Sequence, residues 1–420
     1  MQAHQQLDLS DLTAPVLTDV QRQILEYTES HPVDLDCDRM LAEAVEQAGS
    51  DDLADDGGLD ERLRAYIAAI EGDTGLRQLT RRTLRSRIVR LLRNRLSLTE
   101  LLQRYPEISA IEIERPLIVV GMPRSGTTHL VNLIAQDPRR RALPYWESQE
   151  PIPARGQGPD PTGVDPRYAR AKAEHDALMA SAPYVAAMHD QYPEAIEEEV
   201  ELLDLDFAAY ILEWHARVPS WRDTYLGLDQ HRHYRYLKTV LQALTFLRGP
   251  RTWVLKSPQH AEQLGPLMAT FPDASVAFTH RDPVAVIQSA ATMMAYSDRL
   301  RRSSIEPQWL IEYWTDRVHR LLSSCVRDRD LVPAERSVDI GFHLLNGDET
   351  NQLRALYDAA GVDIPTWVAD RFRRYVDANP RGGKGAIRYD LPGHFGVTAA
   401  DLRSRFAFYF DRFDVRAEGS

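Results

Sequence analysis

Cysteine is almost missing from this chain of 420 residues, which has only Cys37 and Cys325. Such low usage excludes a disulfide framework and a cysteine-based metal cluster. No His, Cys and carboxylate residues fall at ligand spacing, so no metal is expected. The chain also lacks any run approaching the roughly 18 apolar residues that a membrane-spanning helix needs. Its opening, Met1 to Asp8, is polar and lacks the apolar core of a secretory leader. A soluble, cytoplasmic protein is therefore expected. Positive charge is in deficit as well, with a formal net charge of −12. That argues against a general nucleic-acid binder, whose footprint would be basic. Any anion site must then be a local cluster of Arg and Lys. What is present is a 43% apolar fraction, enough for a packed core in one large domain or two modest ones. There is no internal repeat.

One stretch organises the rest. Leu117 to Val120 reads as a buried parallel strand. Gly121, Pro123 and Gly126 then force a tight loop. A helix follows, with Leu130, Leu133 and Ile134 on one face. A strand, a glycine-bearing loop and a helix N-terminus together make an anion site, because backbone N–H groups converge there and the helix dipole favours negative charge. The glycines fit the Walker spacing, but Thr127 stands where a nucleoside triphosphatase keeps its Lys, and the basic residue is Arg124, inside the loop. ATP hydrolysis is disfavoured, while a phosphate-bearing ligand is still expected.

Gly121-Met-Pro-Arg124-Ser125-Gly126-Thr127-Thr128 resembles the 5′-phosphosulfate loop of the sulfotransferases that use 3′-phosphoadenosine 5′-phosphosulfate (PAPS). More of the pattern follows. Lys256-Ser257 ends the short strand Trp253 to Lys256, and resembles the family's second strand end, whose Lys reaches the transferring group. Ser275 to Thr279 is another strand, followed by His280-Arg281-Asp282-Pro283. Asp282 and Pro283 read as N-cap and first helical residue. Ser289 lies about two turns into that helix. Arg281 and Ser289 resemble the family's holders of the 3′-phosphate, and an Arg suits phosphate through fork-like hydrogen bonds. The basic glycine-rich segment Arg381 to Tyr389 resembles its last cofactor segment, where Arg381, Lys384 and Arg388 compete for one role. The Trp146-Glu147 pair and His-Arg-Asp-Pro place the chain beside the bacterial members.

The resemblance implies an α/β fold, a P-loop-like central parallel sheet flanked by helices over residues 116–420. Residues 1–115 read as a helical N-terminal extension without nameable chemistry. Within it, Thr80 to Leu102 is basic and amphipathic, a packed helix by preference, with peripheral contact to an anionic membrane as the other reading. The resemblance further implies PAPS as co-substrate, held by Arg124, Ser125, Gly126, Thr127, Thr128, His129, Arg281, Ser289, Lys384 and Arg388. Where the cytosolic branch keeps an adenine-stacking Trp, this chain has His129, which puts that contact in doubt. The reaction would be in-line sulfuryl transfer to a hydroxyl of an apolar small molecule or lipid, needing positioning and charge stabilisation by Arg124 and Lys256. Two bases compete. Glu147 stands where other branches place a Glu, and burial beside Trp146 would raise its pKa. His260 follows Lys256 by four residues and would orient or replace it. Glu197, Glu198 and Glu199 read as the acidic start of a helix that carries Leu203, Phe207, Tyr210, Ile211 and Trp214. The Pro- and Gly-rich residues 151–166 read as a loop over the acceptor. The rivals are a P-loop kinase or other NTPase, and a non-catalytic nucleotide-binding protein. Oligomeric state is not legible.

Overall fold

The computed structural model describes residues 6–55, 57–189, 191–345, 348–380 and 386–418. Lys384 and Arg381 lie outside the described residues.

Strand β1 (Gln6–Leu7) precedes four helices, α1 (Asp19–Ser30), α2 (Cys37–Ala48), α3 (Leu59–Glu71) and α4 (Gln78–Arg104). Next come β2 (Leu117–Gly121), α5 (Thr127–Ile134), β3 (Arg140–Arg141), α6 (Tyr145–Gln149), α7 (Pro166–Ser181), α8 (Val185–Met188) and α9 (Val200–Leu203). After α10 (Pro219–Gly227) and α11 (Gln230–Arg248) the chain enters β4 (Thr252–Lys256), α12 (Leu264–Thr270), β5 (Ser275–His280) and α13 (Pro283–Arg301). Helix α14 (Pro307–Asp328), β6 (Ser337–Gly341) and β7 (Ala386–Ile387) follow, with short helices between and after. β1 and β7 pair in parallel as a small separate sheet.

The five central strands run in the order β3-β4-β2-β5-β6, all parallel. Both faces are covered. Leu117 and Val119 of β2 join one apolar cluster with Leu130, Val131 and Ile134 of α5, whereas Ile118 and Val120 join the other, larger cluster. This two-sided burial is why the strand reads as an unbroken apolar run and not as an alternation. Crossovers from β2 leave toward β3 on one side, while β5 lies on the other. The carboxyl ends of β2, β4 and β5 thus open side by side where the strand order switches, the usual location of a ligand crevice in such sheets. Registers Val119↔Lys256 and Gly121↔Thr279 fix those ends to one level.

The N-terminal helices share the larger cluster, through Leu84, Ile88, Leu91 and Leu92 of α4 among others. The arginines of α4 turn inward as well. Arg87 pairs with Glu201 and Asp204, each at 2.7 Å, and Arg95 joins Asp206 at 2.7 Å. Arg62 of α3 takes the same Asp206 carboxylate at 2.6 Å. Residues 80–102 are therefore part of a helix packed into the protein, and Arg87 and Arg95 are occupied by internal carboxylates.

Candidate active site

The loop between β2 and α5 is shaped by two glycines with different tasks. Gly121 ends the strand so close to β5 that a Cβ there would sit 2.0 Å from Thr279 Oγ1. Gly126 has φ +90°, in the left-handed region, and a Cβ would press 2.7 Å from Leu345. Arg124 also takes positive φ, +68°, a conformation that costs a non-glycine residue free energy and is held by the surrounding bonds. Ser125 is wholly buried. Its hydroxyl donates to the Met122 carbonyl at 2.6 Å and meets Thr279 Oγ1 at 2.7 Å. Ser125 thus fastens the loop to β5, with its side chain turned away from the cavity. The first intrahelical bond of α5 runs from Leu130 N to the Gly126 carbonyl at 3.0 Å, so the N–H groups before Leu130 have no intrahelical acceptor.

A cavity of about 550 Å³ opens from this loop. At one end stand Pro123, Arg124, Gly126, Thr127, Thr128, Arg281 and Phe342. Its walls come from α4 (Leu79, Leu84), α7 and α8 (Leu178, Met188), the turn after α9 (Tyr210, Ile211, Trp214) and α13 (Met293, Met294, Leu300). The N-terminal extension, read from sequence as chemically silent, supplies part of this wall. The residues 151–166 supply none, so the wall beside the cavity comes from the helices that follow that loop.

Arg124 donates from Nε to Ser289 Oγ at 3.1 Å and from Nη1 to the Met188 carbonyl. Ser289 also meets Tyr389 Oη at 2.9 Å, a residue that the sequence reading passed over in favour of its neighbours. Arg388 is exposed. Arg281 lies just before α13, which Asp282 caps by accepting from Val284 N. Its guanidinium covers the Phe342 ring at 4.0 Å and donates to the Arg124 carbonyl. Its Nε and Nη2 donate to the two carboxylate oxygens of Glu418 at 2.6 and 2.7 Å. The Arg281–Ser289–Arg124 set expected for a doubly phosphorylated nucleotide is therefore contiguous. His129 is half-buried beside Glu349 and Tyr375, outside the cavity lining.

The three consecutive glutamates do more than start a helix. Glu198 accepts from Lys256 Nζ, Glu199 accepts from the Lys256 backbone N–H at 2.7 Å and pairs with His260 Nε2, and Glu197 lies 3.3 Å from His189 Nε2. Of these carboxylates, Glu197 and Glu198 line the cavity. Burial pushes the Glu198 carboxyl above its ordinary range, more than Lys256 draws it down, and the Glu197 charge adds to the rise. Burial also opposes ionisation of Glu197, but the His189 pair outweighs it and lowers that carboxyl. Lys256 is 1% exposed and sits behind Glu198. The acidic run was legible in sequence only as a helix start; its pairing with the strand-end Lys256, 58 positions away, was missed.

The two sequence candidates for the base are elsewhere. Glu147 is 2% exposed and clamped by Arg141 and Arg248, each at 2.8 Å, with Trp146 under the Arg248 guanidinium. It does not line the cavity. His260 is fully buried between Glu199 and Tyr234 Oη, the latter at 2.7 Å from Nδ1, and does not line the cavity either. The expected continuous helix through Phe207 and Trp214 is also absent. Four-residue α9 gives way to 3₁₀ turns at Asp204–Asp206 and Tyr210–Trp214, with Phe207 at φ +45° between them. Asp204 and Asp206 turn inward to the arginines of α3 and α4, and this ion pairing overrides the helical spacing. Among the described residues, no helix is long and apolar enough to cross a membrane.

Fold and site together define a P-loop-like α/β protein whose glycine-bearing strand end faces a largely apolar cavity. The chain belongs to the sulfotransferase family, whose profile matches residues 116–366, more than half of its length. It is 25% identical over 284 residues to the omega-hydroxy-beta-dihydromenaquinone-9 sulfotransferase Stf3 of Mycobacterium bovis, and equally to that of Mycobacterium tuberculosis. That alignment covers 62% of this chain and 66% of either relative, so the chain spans about two thirds of the length of these relatives. The crystal structure of sulfotransferase STF9 from Mycobacterium avium superposes with a TM-score of 0.81 at 24% identity, covering 92% of this chain and all of that one. That of STF1 from Mycobacterium tuberculosis gives 0.77 at 25% identity, covering 89% and 98%.

Proposed function

We propose that this chain transfers a sulfuryl group from PAPS to a hydroxyl of an elongated, largely apolar acceptor. The observation that carries this reading is one cavity that joins the Arg124 loop at one end to largely apolar walls, with Glu198 in its lining and Lys256 behind Glu198. The residues fit the donor. Gly126 leaves room that a side chain would fill, and Arg124 has no carboxylate within ion-pair distance among the described residues. Arg281 presents a bidentate fork that a 3′-phosphate would take from Glu418.

When bound, the donor supplies an activated sulfuryl group and a phosphate leaving group. Arg124 and the free N–H groups at the start of α5 hold the 5′-phosphate and offset the charge that develops on it. Glu198, raised above the carboxylate range and facing the cavity, accepts the acceptor's hydroxyl proton as the oxygen attacks sulfur and the sulfur–phosphate oxygen bond breaks. Protonation of Glu198 removes the partner of Lys256, whose freed charge then serves the leaving oxygen. Glu199 and Tyr234 hold His260 behind Lys256, so His260 acts as an orienting group.

The named relative acts on a hydroxylated dihydromenaquinone, a long apolar molecule with a terminal hydroxyl, and the largely apolar walls beside Glu198 suit the hydroxyl-bearing end of a molecule of that kind. A kinase reading would need a loop Lys in place of Thr127. The experiment is incubation with ³⁵S-labelled PAPS and a cellular lipid extract, followed by mass spectrometry. The expected outcome is a labelled lipid heavier by one sulfuryl group. Binding of 3′-phosphoadenosine 5′-phosphate (PAP) without transfer to any lipid would leave only a nucleotide-binding protein.

A further inference from the structure

Most charged groups lining the cavity are paired. Glu198 has Lys256, Glu197 has His189, Glu201 has Arg87 and Arg281 has Glu418. Among the described residues, two lining guanidiniums have no carboxylate within ion-pair distance, Arg124 and Arg301. Arg124 belongs to the anion loop. Arg301 is left over, and it belongs to the last turn of α13. The helix rise of about 1.5 Å per residue sets its backbone about 18 Å beyond that of Ser289, the partner of Arg124.

Arg301 is half-buried, and among the described residues its side chain makes one hydrogen bond, from Nη1 to the carbonyl of Trp214. His215, the next residue, also lines the cavity; its backbone N–H donates to the Leu212 carbonyl, while its ring has no hydrogen-bond partner among the described residues. Burial, with Arg87 and Arg301 nearby, holds the His215 pKa well below its ordinary value, so the ring is neutral and offers one N–H. The same elements line the cavity with Leu84, Trp214, Met294 and Leu300 and with the small hydroxyl residues Thr80, Thr83 and Ser297. Asp298, one turn before Arg301, eases its charge but is already paired with Arg217, and a cation in a largely apolar wall with no carboxylate in contact is costly unless a ligand completes it.

We propose that Arg301 and His215 form a second polar subsite, which holds a carbonyl or carboxylate oxygen of the acceptor at the end away from its reacting hydroxyl. The acceptor is thus an elongated apolar molecule with two polar ends, a hydroxyl for Glu198 and an oxygen hydrogen-bond acceptor for Arg301. This deepens the proposed function and rests on the cavity being the acceptor site.

Three ligands that differ only at one end test it: 12-hydroxydodecanoate, its methyl ester and 1,12-dodecanediol. Their affinities are measured by titration calorimetry at pH 7.5, with and without PAP. The hydroxy acid should bind about 10- to 100-fold more tightly than the diol, the scale of a charge-assisted hydrogen bond. In Arg301→Met that ratio should collapse to within about threefold, and Arg301→Lys should restore part of it. An ester that binds like the acid identifies a carbonyl ligand, and one that binds like the diol identifies a carboxylate. Equal binding of all three to the wild-type chain overturns the proposal, and so does a ratio that survives in Arg301→Met. The wild-type series decides even where the variant does not fold. Failure of PAP to bind would instead strike the nucleotide reading and leave the ligand comparison intact.

Discussion

Glu147, buried, and Glu198, half-buried, are both carboxylates held by cations, and they teach different things. Glu147 has two arginines, one on each oxygen, and no access to the cavity. Its charge is fully committed to joining β3, α6 and α11. Glu198 has one lysine, faces the cavity, and carries a carboxyl that burial raises. A base needs a proton affinity that is adjustable and a route to the substrate. Only Glu198 has both. Position relative to a motif pointed to Glu147, while the cavity and the local charge point to Glu198.

The sharpest way to break this comparison is to remove the carboxylate from each. Glu198→Gln should lower kcat by about 10²–10⁴ while PAP affinity stays near wild type. A kcat within threefold of wild type would remove Glu198 from the role. Glu147→Ala should instead cost about 3–5 kcal/mol of stability, because Arg141 is left buried and uncompensated. Urea unfolding measures the loss, and kcat per folded molecule should hold. Normal stability with dead activity would return the base to Glu147.

The pH profile sharpens the same contrast. Glu198 works deprotonated, and its folded-state pKa lies above the usual carboxylate range. The acid limb of kcat should therefore fall as pH drops through a value above about 4.3, well before ordinary carboxylates protonate. Lys256, Glu197, His189 and Tyr210 surround the group. Loss of the His189 cation in His189→Gln should move the limb further up. An acid limb that is unchanged in Glu198→Gln would assign it to another group.

The parts of the molecule legible in the sequence are those set by neighbours in the chain. The strand, the two-glycine loop, the Asp282 cap and the Lys256 strand end each depend on short spacing, and all are found as read. The apolar positions Tyr210 and Trp214 were read as the buried stripe of a helix; they line the cavity from a 3₁₀ turn instead. What the chain pattern did not carry depends on partners far apart in sequence. Asp204 and Asp206 break a helical period because Arg87, Arg62 and Arg95 wait more than a hundred positions away. The cavity role of α4 and the fate of Glu147 are of the same kind. Arg388 was weighed for the 3′-phosphate, yet Tyr389 is the residue beside Ser289.

Arg281 and Glu418 give the next contrast, between the fork as it stands and the fork with a nucleotide. Arg281→Ala should weaken PAP binding by about 1.5–3 kcal/mol, the value of a charged hydrogen bond, with 5′-AMP affected less. Equal losses for both nucleotides would take Arg281 away from the 3′-phosphate.

The smallest effect is expected at Glu418 itself. Its carboxylate occupies both arms of the fork that a 3′-phosphate needs, and its backbone N–H is fixed to Asp282 Oδ2 at 2.9 Å while Arg403 holds its carbonyl at 3.0 Å. Nucleotide binding must therefore displace an existing pair. The Glu418 side chain is 37% exposed, so the pair is solvent-screened and worth about 0.2–1 kcal/mol. Glu418→Gln keeps the backbone anchors and weakens the competitor. It should tighten PAP up to about fivefold and leave 5′-AMP nearly unchanged, since only the bisphosphate competes for the fork. Added salt, which screens the pair, should narrow the difference between variant and wild type. Weaker PAP binding in Glu418→Gln would mean that the carboxylate positions Arg281 for the nucleotide and does not compete with it.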